Sequence, residues 1–205
     1  MDAATGLVRW YLHVHGYFAV TDYPIIEEVQ EGEYRSVTDV DILAIRLPGA
    51  GRIIPQKGRG RSHDERMEVL DPALGTSDKR IDMIIGEVKE GEAVLNRGAR
   101  DPAVLRGALT RFGAIRPDET ETVVSELLNR GKVTTESGPR VRLLAFGSYP
   151  GREAGRHYEV ITLRHIVEFL QSVVRENWKA MRHAQFKDPA VNYLVVLEKA
   201  RQGTK

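Results

Sequence analysis

The chain has 205 residues, enough for one full-sized domain with its own core and short of what two independent cores need. Apolar residues make up 41% and charged residues 29%, the balance of a folded globular protein rather than a disordered one. The absence of cysteine excludes disulfides, thiolate nucleophiles and zinc–thiolate sites, and a net charge of +1 means that any contact with nucleic acid must come from local clusters.

Leu7, Trp10, Tyr11 and Val14 recur at helical spacing, which predicts an amphipathic helix over 2–15, stopped by Gly16. His13 and His15 near its end are expected to be partly exposed, favoured by the helix dipole when protonated. The N-terminus carries neither an apolar signal core nor a transit composition, and no run is long enough to span a membrane. The expected setting is therefore intracellular, in the cytoplasm. Two apolar pieces, 17–20 and 25–29, divided by Asp22-Tyr23-Pro24, read as a first strand or as a broken strand pair, with Glu27 and Glu28 on a solvated face or standing in for an acid of the first helix. Thr38 to Arg46 reads as a second strand, with Asp41 opening its apolar run.

Residues 47–80 form a long Gly-, Pro- and Arg-rich stretch, expected to be a flexible basic insertion between two core strands. From Arg46 to Arg66 the local charge balance is +4, and from Gly91 to Arg116 it is +3. Glycine backbone and guanidinium forks suit a nucleic-acid backbone, which makes Arg52, Lys57, Arg59 and Arg61 candidate phosphate contacts. The glycines match neither a nucleotide P-loop nor a dinucleotide fingerprint. Ile81 to Glu90 is then an aliphatic strand whose far end places Glu87 and Lys89 two residues apart, on one face.

Asp101-Pro102 is an N-cap and first-turn pair for a helix through Phe112. A second helix follows Pro117-Asp118 and runs to Gly131. The hairpin signal in residues 131–144 gives these helices a superficial winged-helix pattern, but the acids Asp118, Glu119, Glu121 and Glu126 argue against a DNA-reading helix. Strands over 141–146 and 157–161 and a helix capped by Thr162 complete residues 1–180 as one domain. Residues 181–205 read as a C-terminal extension that docks on the core or pairs with another protomer.

Two acid-bearing strands with a lysine beside the second acid carry the chemistry of metal-assisted phosphodiester hydrolysis. Carboxylates hold a hard divalent cation, and the lysine orients or helps to deprotonate the attacking water. The first helix, the strand opening at Asp41 and the run Ile84-Ile85-Gly86-Glu87-Val88-Lys89 resemble the PD-(D/E)xK nuclease superfamily. That resemblance implies an α/β, restriction-endonuclease-like fold, a central mixed sheet flanked by helices. It also implies Asp41, Glu87 and Lys89 as catalytic residues, Mg²⁺ (or Mn²⁺) on Asp41, Glu87 and the Val88 carbonyl, and DNA as the partner. Arg97 or Arg100, after the Glu-x-Lys strand, would reach a phosphate. The first helix lacks the glutamate that many members use as an extra ligand, and no proline precedes Asp41. Besides a nuclease, the sequence admits an inactive nuclease-fold subunit that binds DNA within a homodimer or larger complex. It also admits an interaction protein in which Asp41, Glu87 and Lys89 form a structural ion pair.

Overall fold

The computed structural model describes residues 2–54, 65–67 and 70–203, with 52–54 and 65–67 described by backbone alone. The first helix, α1 (Ala3–Val14), is capped by the Asp2 carboxylate, which accepts from the Thr5 N–H at 2.7 Å. Strands β1 (Phe18–Gln30) and β2 (Glu33–Arg46) form a long antiparallel hairpin. Of the two readings of this stretch the single strand holds, since Asp22-Tyr23-Pro24 does not divide β1. The interruption is absorbed in Asp22, whose φ is 52°, while Thr21 and Tyr23 on either side stay in register with Ile42 and Val40. Pro24 is tolerated because β1 is an edge strand.

A short hairpin, β3 (Arg52–Ile54) with β4 (Glu65–Met67), lies between β2 and the next core strand, β5 (Asp82–Val88). After the two-residue β6 (Glu92–Ala93) and a 3-10 turn at Gly98–Arg100 come α2 (Pro102–Thr110) and α3 (Thr120–Arg130). Then follow β7 (Lys132–Thr134), β8 (Arg140–Gly147), β9 (Tyr149–Pro150), β10 (Glu159–Thr162) and α4 (Leu163–Glu176). Two further helices, α5 (Trp178–Met181) and α6 (Pro189–Gln202), end the described chain.

The main sheet runs β1-β2-β5-β8-β10 and is mixed. β5 is antiparallel to β2 and parallel to β8, and β10 lies parallel on β8's far edge beside β7. Because β8 sits inside this sheet, the β7–β8 hairpin is no wing and the winged-helix pattern dissolves. Every residue of β5 is buried, as a strand covered on both faces requires. On one face α2 and α3 lay Leu105, Leu109, Val124 and Leu127 over Leu43, Met83, Ile85 and Leu143. On the other, α1 and α4 lay Val8, Leu12, Ile166 and Leu170 over Ile42, Ile84, Leu144 and Phe146. The C-terminal segment docks on this second face: Leu194 joins its core, and Asp188, the cap of α6, is ion-paired with Arg9.

The sheet end opposite the carboxyl end of β5 is held by charge. Asp82 is fully buried and accepts from Arg140, Arg142 and the Tyr17 hydroxyl, with Arg142 Nη2 at 2.8 Å. Burial alone would raise the Asp82 pKa, but the hydrogen bonds and charges of the two guanidiniums outweigh it and hold the carboxyl below its ordinary value. The same two arginines, with Arg46, fasten the end of the expected flexible insertion. Arg142 donates to the Leu74 carbonyl at 2.8 Å, Arg140 to that of Gly75 at 2.7 Å and Arg46 to that of Ser77 at 2.9 Å. Leu74 itself is fully buried, so this end of the stretch belongs to the core.

His15 departs from expectation too. It is buried, its Nε2 accepts from the Asp71 N–H at 3.0 Å, and its Nδ1 lies 2.6 Å from the Tyr11 carbonyl as the donor. Burial pushes its pKa down, so it is neutral and structural rather than a protonated helix-end charge.

Candidate functional site

The register of β2 on β5 pairs Ile42 with Gly86. One step further along both strands, Asp41 stands opposite Glu87, the arrangement that brings cross-strand side chains closest. Glu87 continues the face of Met83 and Ile85, the face covered by α2, and Lys89 follows it two residues on. The structure thus brings together all three residues named from the sequence. It also adds a fourth: continuing the β1–β2 register places Asp22 across from Asp41, so three carboxylates stand on neighbouring strands.

The hydrogen bonds at the site are one-sided. Asp41 Oδ2 accepts from the Val88 N–H at 2.8 Å. Glu87 Oε1 takes both Lys89 Nζ at 2.5 Å and Asn96 Nδ2 at 2.8 Å. Among the described residues, nothing donates to Asp41 Oδ1 or Glu87 Oε2, so each carboxylate keeps one oxygen for a further partner. The Glu87 side chain is 2% exposed and that of Lys89 41%, so the acid is fixed inside the sheet while the ammonium reaches water.

Burial pushes the Glu87 pKa up, and the charge of Asp41 adds to it. Lys89 and Asn96 oppose the rise without cancelling it. Burial likewise raises the Asp41 pKa against the Val88 N–H and the Lys89 charge, with Asp22 adding repulsion. Burial would lower the Lys89 pKa, but the hydrogen bond and charge of Glu87 leave it above its ordinary value. The ammonium is therefore protonated at neutral pH, suited to orienting water or a phosphate oxygen rather than to removing a proton. β5 thus holds a buried acid at each end with opposite shifts. Asp82 meets two guanidiniums and a hydroxyl, whereas Glu87 meets one ammonium and an amide.

Asn96 belongs to no motif of the sequence. Its Oδ1 accepts from the Ala99 N–H at 2.6 Å, the capping bond that an Asn ahead of a turn commonly makes. That turn rests on β2. A Cβ on Gly98 would meet Thr38 Cγ2 at 3.0 Å, so any larger residue here would require the Thr38 side chain to give way. Of the arginines expected to reach a phosphate, Arg100 is ion-paired with Glu153 at 3.1 Å. Arg97 is exposed and makes no ion pair among the described residues. Arg52 is described by backbone alone, and Lys57, Arg59 and Arg61 lie outside the described residues. Glu27 and Glu28 cannot replace the missing helix glutamate. They sit in the outer half of the hairpin, Glu27 bonded to Arg35 at 2.9 Å and Glu28 to the Gly32 N–H at 2.9 Å.

Among the described residues no group of three or more His, Cys, Asp or Glu side chains is arranged to hold a metal ion, and none of their helices is long and apolar enough to cross a membrane. No family model, curated protein or solved structure matches the chain.

Proposed function

We propose that the chain is a metal-dependent nuclease of the PD-(D/E)xK type, with a restriction-endonuclease-like fold, that hydrolyses phosphodiester bonds in DNA. The observation that carries this reading is the placement of Asp41 and Glu87 one step beyond the Ile42–Gly86 pair of β2 and β5, close enough for the charge of Asp41 to act on Glu87, each with one oxygen uncommitted, beside a protonated, solvent-reaching Lys89. The mixed sheet supports the fold assignment, with α1 on one face, α2 on the other, and the two acid-bearing strands side by side near its centre.

The residues present fit Mg²⁺ or Mn²⁺: such an ion takes one or two carboxylates and keeps several waters, so a third side-chain ligand is not required. Asp41 Oδ1, Glu87 Oε2 and the Val88 carbonyl would hold it. The bound ion would supply an activated water and a counter-charge for the phosphate. Lys89 would hold the attacking water, or a non-bridging phosphate oxygen, in line with the bond being broken. Arg97 would contribute charge along the strand, which positions DNA without reading its sequence.

Titrating Mn²⁺ into the wild type, Asp41→Ala and Glu87→Ala, beside plasmid nicking by the same samples, tests this function. Binding and nicking lost together in both variants support it. No Mn²⁺ binding in the presence of DNA and no nicking by the wild type would refute it. DNA binding that persists without metal would then favour the non-catalytic subunit.

A further inference from the structure

We propose that Asn96 is the positioning residue of the site: it holds the Glu87 carboxylate through Oε1, so that Oε2 stays turned to the metal when Lys89 moves to the reacting water. This rests on the nuclease reading above and adds to the Asp41–Glu87–Lys89 pattern a contact that the pattern itself does not contain.

The amide's orientation is dictated by its partners. A backbone N–H, that of Ala99, lies 2.6 Å from one end of the group, and an N–H can only donate, so that end is the oxygen. The other end is then the NH₂, and it lies 2.8 Å from Glu87 Oε1. Asn96 is held in its turn by a rigid seat. Gly98 rests against Thr38 of β2, the Asp101 N–H closes the turn on the Gly98 carbonyl at 3.0 Å, and Asp101 caps α2 by accepting from Ala103 N at 2.7 Å. The amide therefore links three elements, β5 through Glu87, β2 through the glycine contact and α2 through the turn.

Two donors share Glu87 Oε1, and they differ in what the reaction asks of them. Lys89 is a flexible, solvent-reaching cation whose proposed task takes it towards water and phosphate. Asn96 is neutral, short and fixed at both ends. When Lys89 leaves, Asn96 is the donor that keeps a buried carboxylate satisfied and pointing the same way. A neutral donor also leaves the negative charge of Glu87 for the cation, which an arginine in the same place would cancel.

Asn96→Asp separates this role from a structural one. The aspartate still accepts from the Ala99 N–H, so the turn keeps its cap. The donor to Glu87 is replaced by a second carboxylate. The expected result is a fall in Mn²⁺ affinity of about 10–100-fold, as is usual for loss of an outer-shell partner. The pH at which Mn²⁺ binding is half lost should move upward, because a like charge raises the Glu87 pKa. Asn96→Ala, read in the same way, should weaken Mn²⁺ binding without that upward charge effect, and it serves if the aspartate variant does not fold. Affinities within about twofold of wild type at every pH, in whichever variant folds, would overturn the proposal while leaving the nuclease reading intact. A wild type that binds no Mn²⁺ in the presence of DNA would instead remove that reading, and this proposal with it.

Discussion

Lys89→Met tests the electrostatics of the site in a way that activity alone does not. The substitution keeps the aliphatic stem and removes the ammonium that lies 2.5 Å from Glu87 Oε1. Glu87, with a side chain only 2% exposed, is left with the Asn96 amide as its one donor. A hydrogen bond to a charged group contributes about 1.5–3 kcal/mol. Lys89 is 41% exposed, and water screens the pair and partly replaces it, so the expected loss of stability at neutral pH is about 1 kcal/mol. The loss should depend on pH in a stated direction. The folded pKa of Glu87 is already raised by burial and rises further without the cation. Such a group favours folding while protonated, and that contribution is lost as pH rises through its folded pKa. The cost of Lys89→Met is therefore largest at neutral pH and fades as the medium is acidified and Glu87 takes up its proton. Urea unfolding of both proteins over a pH series, followed by tryptophan fluorescence, measures this directly. Adding Glu87→Gln should abolish most of the difference, since no buried charge then remains to be left alone. Nicking should fall by about 10²–10³-fold, the usual cost of removing one preorganised charge or donor from a transition state. A destabilisation that is the same at every pH, or survives in the double variant, would refute the reasoning.

Two further outcomes separate the two ends of the sheet and the two arginines beside the site. Asp82→Asn should cost about 3 kcal/mol at neutral pH, the lower end for breaking a buried ion pair, because Arg142 keeps Glu159 at 2.8 Å and the Leu74 carbonyl. The folded pKa of Asp82 is depressed, so its contribution is present above the unfolded carboxylate pKa and lost as pH falls through the folded one. Equal urea midpoints for variant and wild type at neutral pH would contradict this. Arg97→Ala should weaken binding to a DNA duplex and lower the salt slope by about one, whereas Arg100→Ala, already neutralised by Glu153, should do less. Fluorescence anisotropy at several salt concentrations compares them, and identical slopes in the two variants would count against a role for Arg97.

The placement of Asn96 and Asp22 shows why a site read from spacing alone is incomplete. Both residues enter the site through pairing between distant parts of the chain: Asn96 through a turn seated on β2, Asp22 through the register of the edge hairpin. Glu27 and Glu28, which the sequence allows either as a solvated face or in place of a helix acid, take the first role. They lie five and six residues beyond Asp22, about 17–20 Å further along an extended strand, among charges of their own hairpin.

The sequence by itself determined the elements whose signals are local. The apolar stripe and Gly16 marked α1, Asp101-Pro102 the start of α2, Thr162 the cap of α4, and the continuous aliphatic run the fully buried β5. It also placed Glu87 and Lys89 on one face, because a strand's side-chain period of two needs no partner strand to hold. Only the tertiary structure decided that Asp41 faces Glu87, that Asn96 rather than a second acid completes the hydrogen bonding, and that His15 is buried and neutral. It alone showed that Asp82, five residues before Glu87 on the same strand, is a fully paired acid while Glu87 is not. Register, burial and the partners at each end of a strand are set by which segments meet, and in this chain those segments lie up to 179 positions apart, as Arg9 and Asp188 do.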